Sequence, residues 1–101
     1  MSNYTRGREK EYRAIKLLEE QGYYCIRSAG SHTVIDVIAF LQKNGLEMTP
    51  IRAIQIKSGR SPYKKDLKKL QQLSLPFSVS KELWRFIPRK KHPEIIVVEN
   101  C

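Results

Sequence analysis

The stretch Thr33–Leu41, TVIDVIAFL, decides the fold class of this chain. It is apolar almost throughout, which is typical of a strand that is buried on both faces at the centre of a sheet. Asp36 is the exception, because a charged side chain is rarely buried without a partner. Strand alternation places Asp36 on the same face as Val34 and Ile38. We therefore predict a central strand with a functional carboxylate, and the alternative is a structural salt bridge.

A second strand is predicted to return beside the first. The segment Gln42–Gly45 contains an Asn-Gly turn signal, and the strand that follows runs from Glu47 or Met48 to Lys57. Gln55 and Lys57 are two residues apart, so they project from the same face. A carboxylate, an amide oxygen and an ammonium group can therefore converge. The alternative is that Lys57 reaches water at the strand end while Gln55 is merely half-buried.

The remaining elements follow from hydrophobic spacing and from residues that break secondary structure. Their order is helix, three strands, helix and two strands, which predicts a single α/β domain over residues 1–101 with a mixed central sheet flanked by helices. Beyond the two strands above, the predicted elements are a helix at Arg8–Gln21, a strand at Tyr23–Arg27, a helix at Tyr63–Leu73, and late strands at Leu83–Ile87 and Ile95–Val98.

Glu11 is a second polar residue on a predicted apolar surface. It lies four residues before Ile15 and seven before Leu18, so it belongs to the stripe that the first helix buries. A carboxylate there is costly unless it is paired, protonated or bound to a cation. The alternative is an early-helix acid that reaches solvent and interacts favourably with the helix dipole.

This grouping of polar residues suits the hydrolysis of phosphodiester bonds. Mg²⁺ prefers hard oxygen ligands, and Asp36, the Oε1 atom of Gln55 and the Ile56 carbonyl can supply three of them. The ion would activate a water molecule and neutralise charge on the phosphoryl group. Lys57 would orient that water or stabilise the transition state, and a neutral lysine could also accept its proton. No His/Cys cluster indicates zinc, and no glycine-rich loop indicates an NTPase.

The charge balance favours a polyanionic partner. Nineteen Lys and Arg face ten Asp and Glu, which gives a formal net charge of +9. Positive side chains would contact a nucleic-acid backbone without reading its sequence, and a surface charged only for solubility is the alternative. Two groups stand out: Lys64, Lys65, Lys68 and Lys69 on the second helix, and Arg85, Arg89, Lys90, Lys91 and His92 near the late strands.

Other features indicate an intracellular protein, either cytoplasmic or associated with the nucleoid. The best apolar run, Val34–Leu41, is too short to span a bilayer and contains Asp36. The first residues lack the apolar stretch of a secretory signal. Cys25 and Cys101 lack metal-binding spacing and are interpreted as reduced thiols, and a disulfide between them is the alternative.

Four segments together resemble archaeal Holliday junction resolvases, which belong to the PD-(D/E)XK nuclease superfamily. They are RGREKE at 6–11, GYYCIRSAGS at 22–31, IDVIA at 35–39 and AIQIK at 53–57. The resemblance implies a restriction-endonuclease-like fold. It also implies a homodimer that cuts four-way DNA junctions symmetrically with Mg²⁺, for which Mn²⁺ can substitute. A twofold dimer would match the symmetry of such a junction.

The resemblance also implies roles for individual residues. The catalytic set would be Glu11, Asp36, Gln55 and Lys57, with Ser31 on a loop near the scissile strand. The metal ligands would be Asp36, Gln55, Ile56 and Glu11. By the same resemblance, Arg8 and Arg27 would meet phosphates. We also predict DNA contacts from Ser28 and Gly30 and, from the charge of the second helix, from Lys64, Lys65 and Lys68.

One residue departs from the family pattern, because the resolvases usually carry Glu where this chain has Gln55. The loss of one negative charge should lower the affinity for Mg²⁺. Restriction-type nucleases of the Mrr group do carry Gln-x-Lys. Two alternatives therefore stay open: a nuclease of this fold that acts on other DNA, and a DNA-binding module without catalysis. Leu83, Trp84 and Phe86 are either core residues or part of a dimer face.

Overall fold

The computed structural model describes residues 3–28, 33–42 and 49–98, with side chains from residue 8 onward. The elements are α1 (Asn3–Glu20), β1 (Tyr23–Arg27), β2 (Val37–Leu41), β3 (Ile51–Ser58), α2 (Lys64–Gln72), β4 (Val79–Phe86) and β5 (Glu94–Val98). The strands form one five-stranded sheet in the order β1-β2-β3-β4-β5. β3 and β4 are parallel and are joined by a crossover that contains α2, whereas the other neighbours are antiparallel. The predicted mixed sheet with flanking helices is confirmed.

The helix α1 covers one face of the sheet. Its Ala14 and Leu18 are fully buried against the strands, as their helical spacing predicts. The helix ends before Gly22, whose φ of 96° is a left-handed conformation that favours glycine. It begins at Asn3, five residues earlier than predicted. The first turns are polar, so hydrophobic spacing gives no signal there.

The helix α2 covers the other face over β4 and β5, and its Asp66 also reaches Gln55 and Lys57 of β3. Leu70 of α2 is fully buried beside Leu83 and Val98. Trp84 and Phe86 point to the opposite face and pack in the core beneath α1. The three late apolar residues are therefore core residues rather than an exposed dimer face. On this second face, opposite α1, no helix among the described residues covers β1 and β2.

The strand β2 differs from its prediction. It begins at Val37, so Asp36 lies just before the strand, and the predicted sharing of a strand face with Val34 does not apply. Ile38 and Phe40 are 36% and 38% exposed, so the strand is not buried on both faces. The reason is that α1 covers only the face that carries Val37 and Ala39. The segment 43–48, which contains the predicted Asn-Gly turn, lies outside the described residues.

The strand β4 begins at Val79, four residues before its predicted start, and it contains two buried charges. The carboxylate of Glu82 accepts hydrogen bonds from Arg52, the shortest of 2.6 Å, and from Trp84 Nε1 at 2.9 Å. Burial alone would raise the pKa of Glu82, but these hydrogen bonds outweigh it and lower that pKa. An ion pair with good geometry therefore ties β3 to β4.

The second buried charge is the ammonium group of Lys81, which is 1% exposed. Its Nζ donates to the carbonyl oxygens of Leu70, Gln71 and Leu73 at 2.6, 3.2 and 2.9 Å. The last carbonyls of a helix lack partners within the helix and carry the negative end of its dipole. Lys81 therefore anchors the carboxyl end of α2 to the sheet.

Two whole-chain predictions can also be compared with the structure. Among the described residues, no helix has the length and apolar character needed to cross a membrane. Cys25 is a free thiol, and burial raises its pKa, which keeps it protonated. Cys101 lies outside the described residues.

Candidate active site

The backbone fixes the carboxylate of Asp36 beside β3. The Asp36 N–H donates to the Ile54 carbonyl at 2.9 Å, and its own carbonyl accepts the Ser28 N–H at 2.8 Å. β3 continues beyond the point where β2 begins to pair with it, so the Ile56 N–H has no strand partner on that side. The Oδ2 atom of Asp36 accepts this N–H at 2.8 Å. The carboxylate of Asp36 thus supplies the hydrogen-bond acceptor that β2 does not provide for the Ile56 N–H.

Gln55 and Lys57 project from the same face of β3, as their spacing predicts. Both contact Asp66 of α2: Gln55 Nε2 lies 3.1 Å from Oδ1, and Lys57 Nζ lies 3.1 Å from Oδ2. Ile54 and Ile56 point the other way and pack against the core beneath α1. The amide and the ammonium group therefore stand on the α2 side of the sheet, next in sequence to the backbone amide that holds Asp36.

The negative charge around Asp36 is concentrated. Burial raises the pKa of Asp36 to about 6, and the nearby carboxylates of Glu11 and Asp66 also raise it. The Ile56 hydrogen bond and the charge of Lys57 oppose this rise without cancelling it. The charges of two other carboxylates thus act on Asp36 at this edge of the sheet. The ionised form of Asp36 is costly there unless a cation compensates it.

The donor set fits a hard cation. The Oε1 atom of Gln55 is buried and has no hydrogen-bond partner among the described residues. The N–H and C=O of one strand residue point to the same side, so the Ile56 carbonyl also points toward the side of Asp36. A carboxylate, an amide oxygen and a backbone carbonyl are ligands that Mg²⁺ accepts. Within the described ranges, no three His, Cys, Asp or Glu side chains form a metal site by themselves. Coordination here would therefore depend on Gln55 and the backbone.

Glu11 reaches the same region from α1. Its carboxylate is half-buried and pairs with Arg27 Nη1 at 3.0 Å. A paired state is one of the three that its position on the apolar stripe predicts. The Arg27 guanidinium also lies 5.3 Å above the ring of Tyr12. The predicted roles of Glu11 at the metal and of Arg27 at a phosphate stay predictions.

Most of the predicted DNA-contacting residues are among the described residues. Arg8 is partly buried on α1, and the Ser28 hydroxyl lies 2.9 Å from that of Thr33. Gly30, and Ser31 of the predicted catalytic set, lie outside the described residues. Lys64, Lys65 and Lys68 are exposed along α2, as predicted.

A basic cleft of about 870 Å³ opens between α2 and the end of β3. It includes Lys64 and Lys65 but not Lys68. Asp66 also lines it, so the cleft leads to the candidate active site. Lys69 and Arg85, which belong to the two basic groups singled out in the sequence, also line the cleft, and Arg60 is a basic residue of the cleft that the sequence analysis missed.

Asp66 was missing from the predicted site, although the sequence contains a signal for it. It lies four residues before the buried Leu70 and three after the half-buried Tyr63, so it belongs to the inner face of α2. This is the spacing argument that singled out Glu11 on the first helix. The four lysines of α2 hide the signal, because they make the helix look like a solvated cationic surface.

A protein of solved structure has a similar fold. It is Hjc of Archaeoglobus fulgidus, described as a Holliday junction resolvase from an archaeal hyperthermophile. The similarity covers 92% of this chain and 73% of that chain, with a TM-score of 0.66 and 21% sequence identity. At this identity the likeness establishes the fold, which is restriction-endonuclease-like, as the resemblance predicts. No protein-family model matches the chain, and no curated protein matches it.

Proposed function

We propose that this protein is a Mg²⁺-dependent endonuclease that hydrolyses phosphodiester bonds in DNA and selects four-way junctions. The observation that carries the proposal is the convergence of Asp36, Gln55 and Lys57 at one edge of the sheet, with a buried amide oxygen left without a partner among the described residues. The fold shared with an archaeal resolvase supports the junction as substrate by analogy. In this proposal the whole chain acts as one nuclease domain inside the cell, in the cytoplasm or at the nucleoid.

Each residue of the site has a distinct task in this proposal. Asp36, Gln55 Oε1 and the Ile56 carbonyl would hold Mg²⁺, or Mn²⁺ in its place, and Glu11 would add negative charge from α1. The bound ion would polarise the phosphoryl group and lower the pKa of a water molecule. Lys57 would orient the attacking water and balance the charge that develops on the phosphate. Ser31 would approach the scissile strand.

The basic cleft supports a path for the DNA backbone into this site. Arg60, Lys64, Lys65 and Lys69 line it together with Asp66, which contacts Lys57. Cationic side chains along a groove position phosphates without reading bases, which suits a substrate recognised by shape. Arg8, Arg27, Ser28, Gly30 and Lys68 would extend the contact surface.

The first prediction tests substrate and chemistry together. We expect paired nicks in a synthetic four-way junction with Mg²⁺ or Mn²⁺ and none with EDTA, and we expect slower cleavage of flap and linear DNA of the same sequence. Lys57→Ala should lower the single-turnover rate on the order of 10²- to 10³-fold, because it removes charge stabilisation at the phosphate. The readout is gel resolution of end-labelled strands.

Lys16→Ala is the matched control, because Lys16 is exposed on α1 away from the site. It should leave the cleavage rate within about twofold, as is usual for a surface change. Equal cleavage of all three substrates would refute the selection of junctions but would agree with the proposed nuclease activity. Salt-sensitive DNA binding without cleavage in either metal would leave only a DNA-binding module.

The homodimer is part of the proposal, and an uncovered apolar surface supports it. Tyr24 pairs across the strands with Phe40, and Ile26 pairs with Ile38; their exposed fractions run from 36% to 57%. These four side chains form an apolar patch on the face opposite α1. They carry no charge that would attract DNA, and a contiguous apolar patch usually marks a protein contact. We propose a second copy of the chain as its occupant, since a twofold dimer matches a twofold junction.

The second prediction concerns this apolar patch. Phe40→Asp should raise the dissociation constant of the dimer at least about tenfold, because large apolar residues carry most of the energy of such contacts. Sedimentation equilibrium measures it. Val97→Asp on β5 is the control, since Val97 is 63% exposed but lies outside the patch. A monomeric parent, or equal weakening by both variants, would show that this patch is not the dimer contact.

A further inference from the structure

Asp66 makes contact with two residues of the proposed site at once. One carboxylate oxygen, Oδ1, accepts a hydrogen bond from Gln55 Nε2, and the other, Oδ2, pairs with Lys57 Nζ, both at 3.1 Å. Its side chain is only 16% exposed. A carboxylate on a helix thus joins an amide and an ammonium group that both come from one strand.

The contact with Gln55 decides which end of its amide faces the site. A carboxylate can only accept hydrogen bonds, so Asp66 binds the Nε2 end and turns Oε1 away from itself. The Oε1 atom is buried and has no hydrogen-bond partner among the described residues. A glutamate at this position could offer either of two equivalent oxygens to a metal. A glutamine has one, and here the contact with α2 orients it.

The contact also supplies charge. Gln55 is neutral, whereas negative charge near a partly buried site favours the binding of a divalent cation there. Asp66 brings one negative charge from α2, and that charge already acts on Asp36. It also holds the ammonium group of Lys57 at a fixed place beside the amide.

We propose that Asp66 is a positioning residue that orients the amide oxygen of Gln55, holds Lys57 in the site and supplies the negative charge that Gln55 lacks. This inference rests on the proposed function, because it assumes that the site binds a divalent cation. It makes α2 part of the active site, although no residue of α2 would contact the metal.

The third prediction is a double-mutant cycle read out as Mn²⁺ binding to the DNA-free protein by titration calorimetry. Asp66→Asn should weaken Mn²⁺ binding at least about tenfold, which is the usual loss when the partner of a metal ligand is removed. Gln55→Glu combined with Asp66→Asn has the same net charge as the parent, and the new amide can donate to the new carboxylate. This double variant should bind Mn²⁺ at least as tightly as the parent.

Glu20→Gln is the matched control, because it removes one exposed carboxylate at the end of α1 and should change binding less than twofold. Circular dichroism establishes that every variant is folded. If Asp66→Asn weakens binding equally in the parent and in the Gln55→Glu variant, the inference is overturned, since a purely structural role does not depend on the side chain at position 55. Mn²⁺ binding without DNA cleavage would refute the proposed nuclease function, and the double-mutant cycle would still test the role of Asp66. If the parent does not bind Mn²⁺, both the proposed function and the role of Asp66 are overturned.

Discussion

Replacing Asp36 by asparagine is expected to lower the rate of DNA cleavage strongly and, in the absence of metal, to make the folded protein more stable. Activity should fall on the order of 10³-fold, because the substitution removes a negative charge from the ligand set, lowers the affinity for Mg²⁺ and leaves charge on the phosphate uncompensated. Stability should rise because asparagine can still accept the Ile56 N–H while removing a carboxylate that is unfavourable in this site. Loss of function and gain of stability in one substitution mark a residue kept for binding a cation.

The gain in stability has a defined pH dependence. Burial raises the pKa of Asp36 from 3.8 to about 6 in the folded protein, so the folded state binds the proton more tightly than the unfolded state. Ionised Asp36 therefore opposes folding above about pH 6, and the cost disappears as the pH falls below about 4. Discounted for partial exposure of the carboxylate, the shift corresponds to about 1–2 kcal/mol at about pH 8.

Urea unfolding with EDTA at about pH 8 and about pH 4 measures this effect, because the cost of ionised Asp36 is fully present at the higher pH and mostly lost at the lower one. Asp36→Asn should be more stable than the parent at the higher pH, and the two should be equal at the lower pH. Glu20→Gln, which changes an exposed carboxylate, should match the parent at both pH values. Adding Mg²⁺ at the higher pH should stabilise the parent and not Asp36→Asn. A variant that is less stable than the parent at the higher pH would contradict the prediction.

Replacing Glu82 by leucine is expected to destabilise the protein by about 3–5 kcal/mol, which is the usual cost of breaking a buried ion pair from one side. Glu82 is 2% exposed, and it accepts hydrogen bonds from both Arg52 and Trp84. Its loss leaves the Arg52 guanidinium, 13% exposed, without its carboxylate. A protein of this size typically has a total stability of about 5–15 kcal/mol, so the variant should lie near the threshold of folding.

A double variant separates the pair from the packing around it. Arg52→Met together with Glu82→Leu should recover at least half of the loss, because two apolar residues of similar volume leave no charge uncompensated. Glu94→Leu is the control: Glu94 is 46% exposed and pairs with Arg85, and its loss should cost less than about 1 kcal/mol. Urea unfolding measures all four proteins. A double variant that is less stable than Glu82→Leu would show that the pair is not the source of the loss.

Much of the fold could be predicted from the sequence because its apolar periodicity is regular. Gly22 ends α1 as predicted, and α2 lies within one residue of its predicted bounds at each end. The spacing of Gln55 and Lys57 was enough to place them on one face, since alternation in a strand does not depend on packing. These are local rules, and the structure obeys them.

What could not be predicted depends on contacts between distant segments. The predicted strand begins at Leu83, whereas β4 begins at Val79 and includes the charged residues Lys81 and Glu82. They lie in the strand because the carbonyls of α2 and the guanidinium of Arg52 satisfy their charges. Asp66 depends in the same way on Gln55 and Lys57 from β3. Hydrophobic spacing cannot predict that a charged side chain has a hydrogen-bond or ion-pair partner in a distant segment of the chain.

The helix α2 is fastened to the sheet by charge at both ends, and the two fastenings differ in their exposure to solvent. Lys81 holds the carboxyl end from within the protein, where ions do not reach, whereas the contact of Asp66 with Lys57 near the amino end is partly open to water. Salt or a competing anion is therefore expected to weaken the contact of Asp66 with Lys57 before it weakens the contacts of Lys81. The position of α2 beside the basic cleft is therefore expected to depend on ionic strength at its amino end and not at its carboxyl end.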